Sequence, residues 1–136
     1  MEERVMKQKI HIVSQFNGSD GQLITDSGAT VAMGRSAEKF APYELLLGGL
    51  SYCLYSTFES IAEKMQLVYG AVELDIAGVK RDEKVATLET VTINVEAKGI
   101  EDQEKFNKAV EISTRYCSVF QTISKVAKID WHISFV

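Results

Sequence analysis

The sequence predicts an α+β domain in which a largely antiparallel sheet packs against one long central helix. Three observations predict it. Short β-like runs broken by turn signals fill the first forty residues, and the apolar period then lengthens to three and four over residues 42–65. Two alternating runs with a charged tip between them come next, before a return to helix and a closing strand. Strands at the start and a hairpin in the middle favour antiparallel pairing, which leaves the long helix to cover one sheet face.

The elements follow in order. "KIHIVSQF", "QLITDSG" and "TVAMG" read as strands, and Asn17-Gly18 and Asp20-Gly21 between the first two read as hairpin turns, so a small meander is expected. From Pro42 onward Leu46, Leu50, Cys53, Leu54, Phe58, Ile61 and Met65 fall on one helical stripe. Proline suits the first turn, where a missing N–H costs nothing, and the Glu44 carboxylate there meets the positive end of the helix dipole. Gly48-Gly49 inside this helix costs about 1 kcal/mol per glycine relative to alanine. Either another backbone approaches closely at the pair or tight packing against the domain's own sheet suffices.

"AVELDIAGVK" and "LETVTINVEAKG" alternate, with Val72, Leu74 and Ile76 on one face of the first and Val91, Ile93 and Val95 on one face of the second. The charged "KRDEK" between them is a hairpin tip, so these strands should pair antiparallel. "IEDQEKFNKAVEISTRYC" is helical, acidic at its start and cationic at its end. "SVFQTISKVA" is a shorter helix, and Ser118 with Gln121 three residues on has the form of a capping box that sets its start at Ser118. In "KIDWHISFV" the residues Ile129, Trp131, Ile133 and Phe135 alternate with polar ones, as in a half-buried strand.

A chain of 136 residues holds one core of useful size, so residues 1–136 are read as a single domain. The hydrophobic share of 46% and charged share of 25% are those of an ordinary folded protein. The net charge of -4, with Lys and Arg scattered, disfavours nucleic acid as a partner, because a phosphate backbone demands a basic stripe. "MEERVMKQKI" is too charged for a signal peptide core, and the uncharged run within residues 45–58 is too short to cross a bilayer. No membrane partner and a cytoplasmic location are therefore expected, with both cysteines as reduced thiols or a transient, redox-active pair.

Those cysteines carry the chemistry. Cys53 lies on the apolar helical stripe, where a thiol serves equally as a small buried hydrophobe. Cys117 stands just before the "SVFQTISKVA" helix, where free backbone N–H groups favour a thiolate and Arg115 is two residues away; filling the joint between two helices is the alternative. Neither cysteine has a second ligand at zinc spacing, so no metal is expected. His11 and His132 sit on polar strand faces, and no phosphate-cradling glycine loop occurs, so the sequence calls for no cofactor.

"PYELLLGGLSYC" and "RYCSVFQTIS", in this order of elements, resemble the OsmC/Ohr family of thiol peroxidases, and the resemblance extends from about "KIHI" to the end. It implies an OsmC-like fold assembled as an intertwined homodimer, with the long helices packed together and the active sites at the interface. It implies that Cys53 is the peroxidatic cysteine, oxidised to a sulfenic acid by an organic hydroperoxide. Cys117 is then the resolving cysteine, which closes a disulfide that an external dithiol reductant opens. The family's glutamate, ten residues before the first cysteine, meets Tyr43 here, with Glu44 one place later. Nine residues along an ideal helix turn Glu44 about half a revolution from Cys53 and roughly 13 Å up the axis. Glu44 is thus a catalytic candidate only across a subunit interface or after distortion of the first turn, beside its plainer role as a helix-start charge. Arg4 and Arg35 are the early candidates for the family's arginine.

Two functions stand side by side on these residues. One is an organic hydroperoxide reductase of the oxidative stress response, with Leu50, Leu54, Tyr52 and Phe120 as an apolar pocket around Cys53. The other is a non-catalytic OsmC-like protein that binds a small apolar ligand there, with the cysteines in packing or redox-sensing roles. A low thiol pKa at Cys53 would separate them. Burial raises a thiol pKa, so the peroxidase requires a cation or hydrogen-bond donors at that sulfur.

Overall fold

The computed structural model describes residues 7–136, which divide into two compact units, one ending at Leu45 and one beginning at Leu46. The candidate Arg4 lies outside the described residues.

The N-terminal unit holds the expected meander: β1 (Ile12–Asn17), β2 (Asp20–Thr25) and β3 (Thr30–Met33), in the order β1-β2-β3 and antiparallel throughout. Only one of the two turn pairs expected near its tip is a turn. Asn17 pairs with Asp20, so the loop is Gly18-Ser19, and Gly18 has φ 64°, as the first position of a hairpin turn matched to strand twist requires. Asp20-Gly21 opens β2 instead. Gly21 pairs with Phe16, whose ring occupies the place of a side chain: a Cβ there would lie 2.8 Å from a ring carbon. His11 Nδ1 lies 2.7 Å from Asp26 Oδ1 beside these strands.

Helix α1 (Pro42–Lys64) begins as its sequence predicts. The Glu44 carboxylate accepts the Ala41 N–H at 2.8 Å, which is the half of a capping box that reaches back to the residue before the helix.

The second unit contains the rest of α1, β4 (Val72–Lys80), β5 (Leu88–Ala97), α2 (Gln103–Tyr116), α3 (Ser118–Ser124) and β6 (Lys128–Phe135). β4 and β5 are antiparallel, with Leu74 opposite Val95 and Ile76 opposite Ile93. β6 pairs with β5 in parallel, Ile93 opposite Trp131. The expected sheet is thus two small sheets, and its last pairing departs from antiparallel. The reason is connectivity: α2 and α3 carry the chain back along the sheet, so β6 re-enters in the direction of β5.

The buried line on α1 runs through Leu50, Leu54, Phe58 and Ala62, each four residues from the next. Leu54 and Phe58 line one small apolar cavity with Val72, Leu74, Val95, Phe106 and Val110. Phe106, fully buried, has its ring 5.0 Å from that of Phe58 and 5.6 Å from that of Phe135, which ties α1, α2 and β6 together. The broad stripe expected on α1 is narrower than its apolar residues suggest: Cys53, Ile61 and Met65 are half-buried and Leu46 is exposed. Cys53 precedes Leu54 by one residue and is therefore turned about 100° from the buried line, to the edge of the covered face. Gly48 and Gly49 are exposed, and no atom among the described residues comes within 4 Å of a Cβ placed on either. Packing against the domain's own sheet therefore does not offset their cost.

Candidate active site

Two segments build the site. Cys53 comes from the middle of α1, and Thr57 and Ser56, one turn on, donate their hydroxyls to its carbonyl at 2.8 and 3.3 Å. The joint between α2 and α3 supplies the rest. Cys117 is at once the last residue of one helix cap and the first of the next: its N–H donates to the Ser113 carbonyl at 2.8 Å, and its extended backbone, φ -74° and ψ 111°, turns the chain into α3. Its sulfur accepts the Phe120 N–H at 3.4 Å and is wholly buried. The capping box expected from Ser118 and Gln121 does not form. Cys117 takes the cap, and Gln121 donates its amide to the Thr114 carbonyl at 2.9 Å.

Freed from capping, Ser118 turns to the other cysteine, with its Oγ 3.9 Å from Cys53 Sγ. Burial by itself would push the Cys53 thiol up. The Val119 N–H, the Cys117 thiol, and the hydroxyl and N–H of Ser118 all donate to its sulfur, outweigh burial and leave it below its ordinary value. Burial pushes Cys117 the other way, to about 11: the Phe120 and Val119 N–H groups favour its thiolate, but donating to Cys53 and sitting beside the Cys53 charge both keep its proton on. The two thiols, 64 residues apart in sequence, lie close enough for each to act on the other's titration.

This arrangement corrects several expectations. The thiolate favoured at the start of α3 is that of Cys53, not that of Cys117: the Val119 and Ser118 N–H groups and the Ser118 hydroxyl lower Cys53, whereas burial outweighs the Phe120 and Val119 N–H groups at Cys117. Arg115 is bound to its own helix, with Nη2 2.9 Å from Glu111 Oε1, and is not among the groups that act on either sulfur. Leu50, Leu54 and Phe120 are core residues, and Tyr52 is 75% exposed. Ser118 and Val119 were missed as site residues. Their signal was the helix start after Cys117, read as serving the nearer cysteine. Arg35 and Glu44 line one hollow of about 990 Å³ in the N-terminal unit, together with Phe16, Met33 and Phe40.

A family description, OsmC-like protein, matches residues 35–132, close to three quarters of the chain, and so takes in both cysteines. The chain belongs to the OsmC/Ohr family. An OsmC-like protein of Mycoplasma pneumoniae superposes with a TM-score of 0.87 at 19% identity, covering 96% of this chain and 99% of that one. An organic hydroperoxide resistance protein of Elizabethkingia anophelis, solved with thiocyanate bound, gives 0.75 at 17% identity, over 96% and 100% of the two chains. The organic hydroperoxide resistance protein OhrB of Bacillus subtilis gives 0.72 at 14% identity, over 93% and 98%. At such identities the likeness is one of fold. No curated protein matches the sequence. Among the described residues no helix is long and apolar enough to cross a membrane.

Proposed function

We propose that this OsmC-like protein is a thiol peroxidase that reduces organic hydroperoxides, with Cys53 as the peroxidatic and Cys117 as the resolving cysteine. One observation carries the reading: a half-buried sulfur, with the Ser118 hydroxyl 3.9 Å away and held toward its thiolate by donors from α3, lies beside a second, buried thiol. A packing cysteine needs neither. The named relatives among organic hydroperoxide resistance proteins supply the oxidant's class.

The Cys53 thiolate attacks the terminal oxygen of the hydroperoxide. The S–O bond forms, the O–O bond breaks, and the alkoxide leaves as an alcohol after taking a proton from solvent, so sulfur is oxidised to the sulfenic acid. The Ser118 and Val119 donors hold the attacking charge. Cys117 then attacks the sulfenic sulfur, the S–S bond forms and water leaves; an external dithiol restores both thiols by exchange. The order of the two steps follows from electrostatics. While Cys53 is a thiolate its charge keeps the Cys117 proton in place, and its conversion to a neutral sulfenic acid removes that restraint.

The reading includes an intertwined homodimer. Gly48, Gly49 and Tyr52 form an exposed face of α1, no atom among the described residues comes within 4 Å of a Cβ on either glycine, and glycine pairs on such faces suit close contact of two helices. Glu44 enters catalysis only through that dimer, since its carboxylate is held at the helix start with Arg35 nearby in the same hollow, ready for the Cys53 of a second copy.

The test is one equivalent of cumene hydroperoxide added to the reduced protein. Two thiols per chain should disappear within seconds with a loss of two mass units, and Cys117→Ser should stop at a sulfenic or overoxidised Cys53. Cys53→Ser should abolish turnover. Persistence of both thiols in the native chain would leave only the ligand-binding reading.

A further inference from the structure

Ser118 and Gln121 look in the sequence like the two halves of a capping box, and the fold uses both for something else. In an unbroken helix the N–H of residue 118 donates to the carbonyl of residue 114. The bond one place earlier in that series is made, from the Cys117 N–H to the Ser113 carbonyl at 2.8 Å. The next one is not, because Cys117 at ψ 111° has left helical geometry and carries Ser118 away from α2.

The Thr114 carbonyl thereby becomes one of the orphan acceptors of a helix end, on a residue only 7% exposed, where an unpaired carbonyl is costly. The Gln121 side chain takes the vacated place and donates its amide N–H to that carbonyl at 2.9 Å, across the joint. Its backbone N–H donates to the Cys117 carbonyl at 3.0 Å and closes the first turn of α3. One residue, exposed at the surface, therefore ties the end of α2 to the start of α3 through both its side chain and its backbone. Ser118, released from α2, lies with its Oγ 3.9 Å from Cys53 Sγ, and its N–H is a donor to that sulfur. Gln121 itself is not among the groups that act on either sulfur.

We propose that Gln121 is a positioning residue of the thiol site: its amide stands in for the Ser118 N–H at the Thr114 carbonyl and so frees that N–H for Cys53. Without the amide, the carbonyl competes for the Ser118 N–H. Helix α2 then gains one bond and Cys53 loses one donor. The inference rests on the peroxidase reading only for the use made of the thiolate; how the thiolate is held is a separate property.

The experiment reads the sulfur directly. Alkylation of Cys53 by iodoacetamide is followed across a pH series in the native chain, in Gln121→Met, which keeps the side-chain length without the donor, in Ser118→Pro, which has no N–H at 118, and in the double variant. Among the groups that act on Cys53, the titratable one is Cys117, which is wholly buried and keeps its proton to about 11, so one label per chain reports Cys53 alone. Below the pKa of Cys53, Gln121→Met should slow alkylation about five-fold, the loss of one donor, and leave the high-pH plateau unchanged. Added to Ser118→Pro it should change the rate less than about two-fold, since no N–H remains to be freed. An unmoved profile in Gln121→Met, or the same displacement in the native and proline backgrounds, would overturn the assignment. So would a second label per chain at neutral pH, which would mean that α3 itself is lost and that Gln121 is merely structural. Cumene hydroperoxide is added to the native chain in parallel. If the profiles move as expected but both thiols persist, the peroxidase reading fails and the positioning role stands. If the thiols are consumed but Gln121→Met leaves the profile in place, only the positioning role fails.

Discussion

Ser118 offers a graded test of how Cys53 is activated. It gives the Cys53 thiolate two donors, a hydroxyl with Oγ at 3.9 Å and a backbone N–H, while Val119 gives a third through its own N–H. Ser118→Ala removes the hydroxyl alone. Ser118→Pro removes both Ser118 donors at a position built to accept proline: it is the first residue of α3, where the N–H has no helical partner, and Cys117 before it is already extended, with φ -74° and ψ 111°. A hydrogen bond to a charged group contributes about 1.5–3 kcal/mol, and the long sulfur contact at a half-buried group puts each Ser118 donor below that range, at about 1 kcal/mol. Below the pKa of Cys53 the thiolate fraction should then fall about 5-fold in Ser118→Ala and about 30-fold in Ser118→Pro. The sign is fixed by the direction of the effect. The donors lower the thiol pKa, so their loss moves the whole pH profile upward and leaves the high-pH plateau unchanged. Alkylation by iodoacetamide across a pH series reads this directly, because Cys117 is buried and holds its proton to about 11. A profile unmoved by both substitutions, or one displaced to lower pH, would refute donor activation and return the search to a cation.

Two further outcomes concern the scaffold and its assembly. Phe106→Ala should destabilise the fold by about 3–5 kcal/mol in chemical denaturation, since the ring is fully buried between Phe58 and Phe135 and the hole cannot collapse without moving α1 or β6. Gly49→Leu should make the folded chain no less stable, since no atom among the described residues lies within 4 Å of the position and the glycine's helical cost is removed, yet reduce the mass in light scattering from a dimer to the 15.1 kDa of one chain. An undisturbed dimer would remove the account of the glycine pair.

Element order was legible in the sequence because each element carries a local signal. The meander, α1, the β4–β5 hairpin and both later helices follow from apolar period, Pro42, turn glycines and end charges, all properties of a few neighbouring residues. Where expectation missed, the competing candidates were adjacent. Asp20-Gly21 has the look of a turn beside the true one at Gly18-Ser19, and Ser118 has the look of a cap beside Cys117, whose sulfur takes the Phe120 N–H.

By itself the sequence determined that Cys53 stands on a largely apolar helix and that Cys117 stands at a helix start. It also determined the family, through the spacing and context of the two thiols. Tertiary structure alone decided what those positions mean. The donors at the start of α3 serve the sulfur of a different helix, and Arg115, two residues from Cys117, is held by Glu111. Backbone N–H groups are present at every helix start, so their direction toward a partner 64 residues away leaves no trace in residue type. Direction depends on how α1 and the α2–α3 joint pack, and packing is set by the core around Phe106, whose contacts are long-range in the chain.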